Sequence, residues 1–168
     1  MLPKDKQPPG KRYSTMNARA ETVGQLPTYR QAWSRAQLCL VPMRSFYEPS
    51  YESGKSIRWR IRLNDERPFA VAGLWRAWDE GTADERYSFT QLTINADAHP
   101  FISRFHPVDD EKRSLVVITP DAYDEWLNCR NPEFARAFLQ LYPADLMQGE
   151  PSPVPSRQKS ESTQVSLF

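Results

Sequence analysis

The stretch Ser56–Leu63, "SIRWRIRL", decides the class of fold. Ile57, Trp59, Ile61 and Leu63 alternate with Arg58, Arg60 and Arg62. A period of two gives an extended chain one apolar and one polar face, the mark of a half-buried strand. Working outward, "LCLVPM" (Leu38–Met43), "FAVAGLW" (Phe69–Trp75), "RYSFTQLTIN" (Arg86–Asn95) and "SLVVIT" (Ser114–Thr119) read as further strands. The acidic, Gly-containing "DEGTADE" (Asp79–Glu85) is a turn between two of them. Helical spacing is confined to three places. "TYRQAWSRAQ" (Thr28–Gln37) has Tyr29, Ala32, Trp33 and Ala36 on one stripe, and "PDAYDEWLNC" (Pro120–Cys129) has acids in its first turn. "NPEFARAFLQLY" opens with Asn131 as N-cap and Pro132 at the first helical position. The pattern predicts an α+β domain.

The bulk composition narrows what such a domain does. The chain has 168 residues, enough for one domain with a real core, and its 39% hydrophobic and 26% charged residues are ordinary for a globular protein. A net charge of +1 means that any nucleic-acid binding comes from a local basic patch. The opening "MLPKDKQPPGKRYST" is a basic, Pro-rich loop, and no apolar run approaches membrane-spanning length. The two cysteines have no metal-like spacing, so no metal or cofactor is expected and a reducing cytoplasm is the simpler setting. From Glu150 the sequence turns Pro/Ser-rich, which predicts a domain over residues 1–149 and a disordered tail over 150–168.

Four places hold residues fit for chemistry. Asn17, Arg19 and Glu21 alternate with Ala18 and Ala20, so an extended segment would show all three on one face. An Arg fork beside an amide suits a phosphate or a sugar hydroxyl, although spacing alone favours a polar edge strand with a surface ion pair. In "FYEP", Glu48 follows two aromatics, where an apolar pocket would raise its pKa and make it a general acid; the plainer reading is a strand-end Glu in solvent. "SRFHPVDDEKRS" holds His106, whose imidazole can move a proton near neutral pH, while His99 before Pro100 reads as a turn residue. Cys39 in "LCLVP" reads as a small buried hydrophobe, and Cys129 has no evident activating base.

Taken in order, "NARAET", "CLVPMRSFYE", "FAVAGLW", "LTINADAHPFISRFH", "KRSLVVI" and "DEWL" resemble the SOS-response-associated peptidase (SRAP) family over roughly Tyr13 to Trp126. The resemblance implies a compact domain with a curved, mostly antiparallel β-sheet, flanking helices and a positively charged DNA channel. It implies a protein of the DNA damage response that attaches covalently to abasic sites in single-stranded DNA. Glu48 matches the family's catalytic carboxylate, His106 the histidine that protonates the sugar oxygen, and Asn17 the amide that positions nucleophile and sugar. Arg19 matches a phosphate or sugar contact, with Lys11 and Arg12 as further DNA-binding cations. Lys4, Lys6, the Arg58/Arg60/Arg62 face and five tryptophans are also available to a strand, although a solvated Arg face is the favoured reading.

The family opens Met-Cys-Gly-Arg, and its amino-terminal cysteine is the nucleophile. Here position 2 is Leu2 and the asparagine motif arrives at residue 17, so the expectation is a family chain lacking its first strands and its nucleophile. "PVDDEK" also lengthens the family's His-x-Arg-Met-Pro before Arg113, and "FYEP" replaces its "YEW". The ending Gln164-Val165-Ser166-Leu167-Phe168 resembles the peptide by which bacterial repair proteins bind the sliding clamp, with Leu167 and Phe168 as apolar anchors. The expected protein is a monomeric, nucleoid-associated bacterial protein. Two rival readings stand beside it: a non-catalytic module binding single-stranded DNA and the clamp, and a thiol peptidase using Cys39 and His106.

Overall fold

The computed structural model describes residues 2–10 and 13–154. Lys11 and Arg12, expected as DNA contacts, and Gln164–Phe168, the expected clamp peptide, lie outside the described residues. In chain order the elements are β1 (Asn17–Arg19), α1 (Arg30–Ser34), β2 (Leu38–Met43), β3 (Phe46–Ser50), β4 (Ile57–Leu63), β5 (Phe69–Trp78) and β6 (Arg86–Asn95). There follow β7 (Arg113–Leu115), β8 (Val117–Ile118), α2 (Tyr123–Asn128), α3 (Pro132–Ala135) and β9 (Met147–Pro151).

The protein is α+β and mostly antiparallel, as the sequence predicts. Hydrogen bonding divides the strands into a six-stranded sheet, β1-β6-β5-β2 with β7 on β6 and β8 on β5, and a three-stranded sheet, β3-β4-β9. The exception to antiparallel pairing is β1, which runs parallel to β6 with Asn17 opposite Gln91 and Arg19 opposite Thr93. "SLVVIT" is not one strand. It passes from β6 to β5 at Val116, whose N–H donates to the Leu92 carbonyl while its own carbonyl accepts from Ala72.

Two cores result. Trp33, Leu74, Leu92, Val116 and Trp126 pack between the larger sheet and the helices. Phe46, Ile61, Leu63, Phe69, Val71, Ile102, Phe105 and Met147 pack in a second cluster, which joins the smaller sheet to the larger. Each fully buried side chain of this size contributes about 1.5–3 kcal/mol. The strand that decides the class is thus β4, central in its sheet, with Ile61 and Leu63 buried.

Its arginine face is less solvated than the favoured reading has it. Arg60 pairs with Glu150, and Arg62 lies 3.3 Å from Glu66 and 3.4 Å from Glu150. Arg58 stacks 4.1 Å over the Tyr47 ring and donates from Nε to the Ser152 carbonyl at 2.9 Å. Both Glu150 and Ser152 come from the region expected to be a tail. Pairing of Arg60 with Glu150 and Trp59 with Pro151 makes residues 150 and 151 part of the sheet, so the domain runs past residue 149. A Pro-rich composition concealed this strand because Pro151, its last residue, needs no ladder donor at a strand end.

The helices are shorter than their apolar stripes suggest. In the third, Asn131 caps as expected, accepting from the Glu133 N–H at 2.9 Å, but the helix turns tighter after Ala135. Gly73 is required by packing. A Cβ there would lie 2.8 Å from the Thr90 carbonyl oxygen and 2.9 Å from Cys39 Sγ.

Candidate functional site

Alternation sets the first wall of the site. In β1, Ala18 is buried while Asn17 and Arg19 are exposed on the opposite face. Pairing with β6 brings Gln91 and Thr93 onto that same face. The Tyr29 hydroxyl donates to the Asn17 carbonyl at 3.3 Å and holds the strand start.

The second wall is β3. Glu48 sits in the middle of this edge strand, opposite Trp59 of β4, not at its end. The next residue, Pro49, has no N–H, but its carbonyl accepts the His106 backbone N–H at 2.8 Å. An antiparallel bridge between Ser50 and Phe105 reinforces the join. Two residues of backbone contact therefore bring a histidine 58 positions away in sequence beside Glu48, and His106 Nε2 lies 2.8 Å from Glu48 Oε2. His106 adopts φ +67°, a left-handed conformation costly for a residue with a Cβ and found where surroundings over-determine it.

Between the walls is a cavity of about 540 Å³, lined by Asn17, Arg19, Glu48, His106 and Arg113 together with Met16, Met43, Phe46, Gln91 and Leu115. The hydrogen bond that His106 donates to the Glu48 carboxylate pushes the His106 pKa up; partial burial opposes this, and the charge of Glu48 adds to it. The imidazole is thus biased toward its protonated, donating form. At the mouth, Arg113 donates to Glu21 at 2.7 Å, to Glu111 at 2.7 Å and to the Thr93 carbonyl at 2.6 Å. Glu111 also pairs with Arg19. The cavity therefore has a hydrogen-bonded carboxylate–imidazole pair on one side and an arginine pair, bridged by one carboxylate, on the other.

The structure brings Asn17, Arg19, Glu48 and His106 together in one place. Glu21 is different. It pairs with Arg113 and accepts from the Asn95 N–H at 3.0 Å, the surface ion pair that spacing alone favoured for this segment. Arg113, Glu111 and Gln91 were missed by sequence reasoning. The period-two pattern of β6 marked the face of Gln91, but nothing local to Glu111 or Arg113 marks a mouth shared with Arg19.

The cysteines and the second histidine lie elsewhere. Cys39 lines a separate groove with Val41, Trp75 and Tyr87, and burial pushes its thiol up to about 11, so it is protonated near neutral pH and lies outside the cavity of His106. Cys129 Sγ meets the Asn131 carbonyl at 3.1 Å. His99 is buried, with Nε2 2.8 Å from the Tyr142 carbonyl and Nδ1 accepting from the Phe101 and Ile102 N–H groups, a structural knot. Of the five tryptophans, Trp33 and Trp126 are core residues, Trp59 packs on Phe105, and Trp78 lies under Arg76, which leaves few stacking faces. Among the described residues, no cluster of His, Cys, Asp and Glu could hold a metal ion, and no helix is long and apolar enough to cross a membrane.

Fold and site define an α+β protein with an open cavity that joins a carboxylate–imidazole pair to arginines. The chain belongs to the SOS response associated peptidase (SRAP) family, whose model matches residues 1–157. It is 32% identical over 139 residues to abasic site processing protein YoqW of Bacillus subtilis, covering 81% of this chain and 58% of that protein. It is likewise 32% identical to abasic site processing protein YobE of the same organism, covering 60% of it. The chain thus spans about three-fifths of the length of these curated relatives. A crystal structure of a protein from Bordetella bronchiseptica superposes with a TM-score of 0.80 at 37% identity, covering 88% of this chain and 74% of that one. Another, from Bacteroides thetaiotaomicron, has a TM-score of 0.66 at 25% identity, covering 80% and 57%.

Proposed function

We propose that this chain processes abasic sites in single-stranded DNA, taking the exposed sugar into the cavity between β1 and β3. The observation that carries the reading is the 2.8 Å contact of His106 with Glu48 inside a cavity that also holds Asn17 and Arg19. An abasic deoxyribose is a cyclic hemiacetal. Opening it to the aldehyde removes a proton from the anomeric hydroxyl and adds one to the ring oxygen. Glu48 accepts the first and the His106 imidazolium supplies the second, a division of labour favoured by the raised pKa of His106. Asn17 orients the sugar, and Arg19 meets a flanking phosphate.

Covalent attachment follows when an amino-terminal cysteine is present. Its amine condenses with the aldehyde, expelling water, and its thiolate adds to the resulting imine carbon to close a thiazolidine, with no oxidant required. Leu2 has no thiol, and ring closure needs a cysteine at the amino terminus. The second reading is a non-catalytic module on abasic single-stranded DNA, carried by the arginines of the same cavity. In both, Gln164–Phe168 tethers a monomer to the sliding clamp at the bacterial nucleoid.

The test is binding and capture measured separately. Fluorescence anisotropy should give tighter binding to an oligonucleotide with a non-reactive abasic analogue than to the intact strand. A variant carrying Cys as its first residue should yield a denaturant-resistant cross-link to the aldehyde form, which Leu2 cannot. Equal affinity for both oligonucleotides would end the abasic reading.

A further inference from the structure

The segment between His106 and Arg113 contains a buried lysine that the proton-transfer chemistry does not use. Lys112 is only 7% exposed. A buried ammonium has three donors to satisfy, and leaving them unmet is costly. Here Nζ donates to the carbonyls of Pro107, of Asp110 at 2.8 Å and of Val108 at 3.2 Å. Its backbone is fixed as well, since its N–H donates to Asp97 Oδ1 at 2.7 Å and its carbonyl accepts from Ala96 at 2.8 Å. The side chain therefore gathers the loop 107–111 around one cation, while the main chain anchors that cation to the end of β6.

The two ends of this loop are both in the site. At one end is His106, whose left-handed backbone is followed directly by the Pro107 carbonyl that Lys112 binds. At the other is Glu111, which bridges Arg19 and Arg113. We propose that Lys112 is a positioning residue: its ammonium sets the 107–111 loop and so holds the His106 imidazole against Glu48. The inference rests on the reading of Glu48 and His106 as the proton-transfer pair. A strained φ persists only where several contacts fix it. Besides the Pro49 bond, the chain is held one residue after His106, where the Pro107 carbonyl accepts from Lys112 Nζ and from the Asp110 N–H at 3.1 Å.

The charged groups facing His106 are Glu48 from β3 and Asp110 and Lys112 from its own loop. This gives opposite signs to two roles of Lys112. As a nearby positive charge it disfavours the imidazolium, so removing that charge alone raises the His106 midpoint. As a positioning group it keeps the imidazole on Glu48, so removing it lets the midpoint fall toward the ordinary value of about 6.5.

The experiment is an NMR titration of the imidazole ¹⁵N signals, simple to assign with two histidines in the chain. It is run on the parent protein, on Lys112→Met and on Lys112→Arg. The expected result is a midpoint that falls toward 6.5 in the Met variant and returns toward the parent's in the Arg variant, which keeps charge and donors. A midpoint equal to or above the parent's in Lys112→Met overturns the proposal. If that variant has no cooperative melt, Lys112→Gln, neutral and shorter, is titrated instead and judged by the same sign. No DNA is present, so the result stands apart from substrate binding. A fall in midpoint beside unchanged capture by His106→Ala would keep the positioning role and discard the proton-transfer reading.

Discussion

His106 Nε2 lies 2.8 Å from Glu48 Oε2, and the backbone N–H of His106 donates at 2.8 Å to the carbonyl of the residue after Glu48. The backbone bond fixes where the ring begins, and the side-chain bond fixes its protonation. Because the Glu48 contact raises the His106 pKa, the pair stabilises the fold fully below the unfolded histidine value of about 6.5 and loses that contribution as pH rises through the higher folded value. Capture of abasic DNA by a Cys-initiated form should fall over the same upper window. Glu48→Gln should shift that fall to lower pH, and His106→Ala should slow capture by about 10²–10⁴-fold. A pH profile unchanged by Glu48→Gln would refute the pairing.

Glu111 bridges Arg19 and Arg113, so a DNA phosphate must compete with a carboxylate already at the mouth. Glu111→Gln should free Arg19 and tighten single-stranded DNA binding at low salt. The slope of log K against log salt should steepen by about 0.7, the value for one added phosphate contact on a single strand. Anisotropy titrations at several salt concentrations check this, and an unchanged slope would mean that Arg19 stays on protein partners.

Cys39 should be inert. Its thiol is pushed up to about 11 by burial, so alkylation of the folded protein should be much slower than of the unfolded chain. Cys39→Ala should leave DNA binding unchanged. Loss of a hydrolytic activity in that variant would revive the thiol-peptidase reading.

At Gly73 the added methyl group of Ala would sit 2.8 Å from the backbone oxygen of Thr90. That oxygen belongs to the neighbouring strand and cannot rotate away, so Gly73→Ala should destabilise by about 1–3 kcal/mol in a denaturant melt. A shift under about 0.5 kcal/mol, the scale of an innocuous surface change, would show that β5 and β6 can separate to accept it.

Truncation after Gly149 should lower stability where truncation after Val154 does not. The first removes the Trp59–Pro151 and Arg60–Glu150 pairs and the Ser152 acceptor of Arg58; the second leaves them in place. The expected loss is about 1–3 kcal/mol, read by thermal unfolding. Identical melts would return residues 150–152 to the tail.

Much of this protein is legible in its sequence. The alternation of "SIRWRIRL" specifies β4, because period two is a local property of an extended backbone. The same rule separates Asn17 and Arg19 from buried Ala18. The family motifs single out Glu48 and His106 as residues to look for. Sequence does not say that these two touch, because their contact depends on a bridge between Ser50 and Phe105. Nor does it distinguish Glu21, an anchor for Arg113, from Arg19 at the mouth two residues earlier. The terminal strand β9 was hidden for a related reason: a composition poor in apolar residues reads as a tail until an arginine face supplies partners for Glu150. Local periodicity determined which residues face inward. The long-range pairing of β3 with the His106 loop, and of Glu111 with two arginines, was decided only where distant stretches of backbone met.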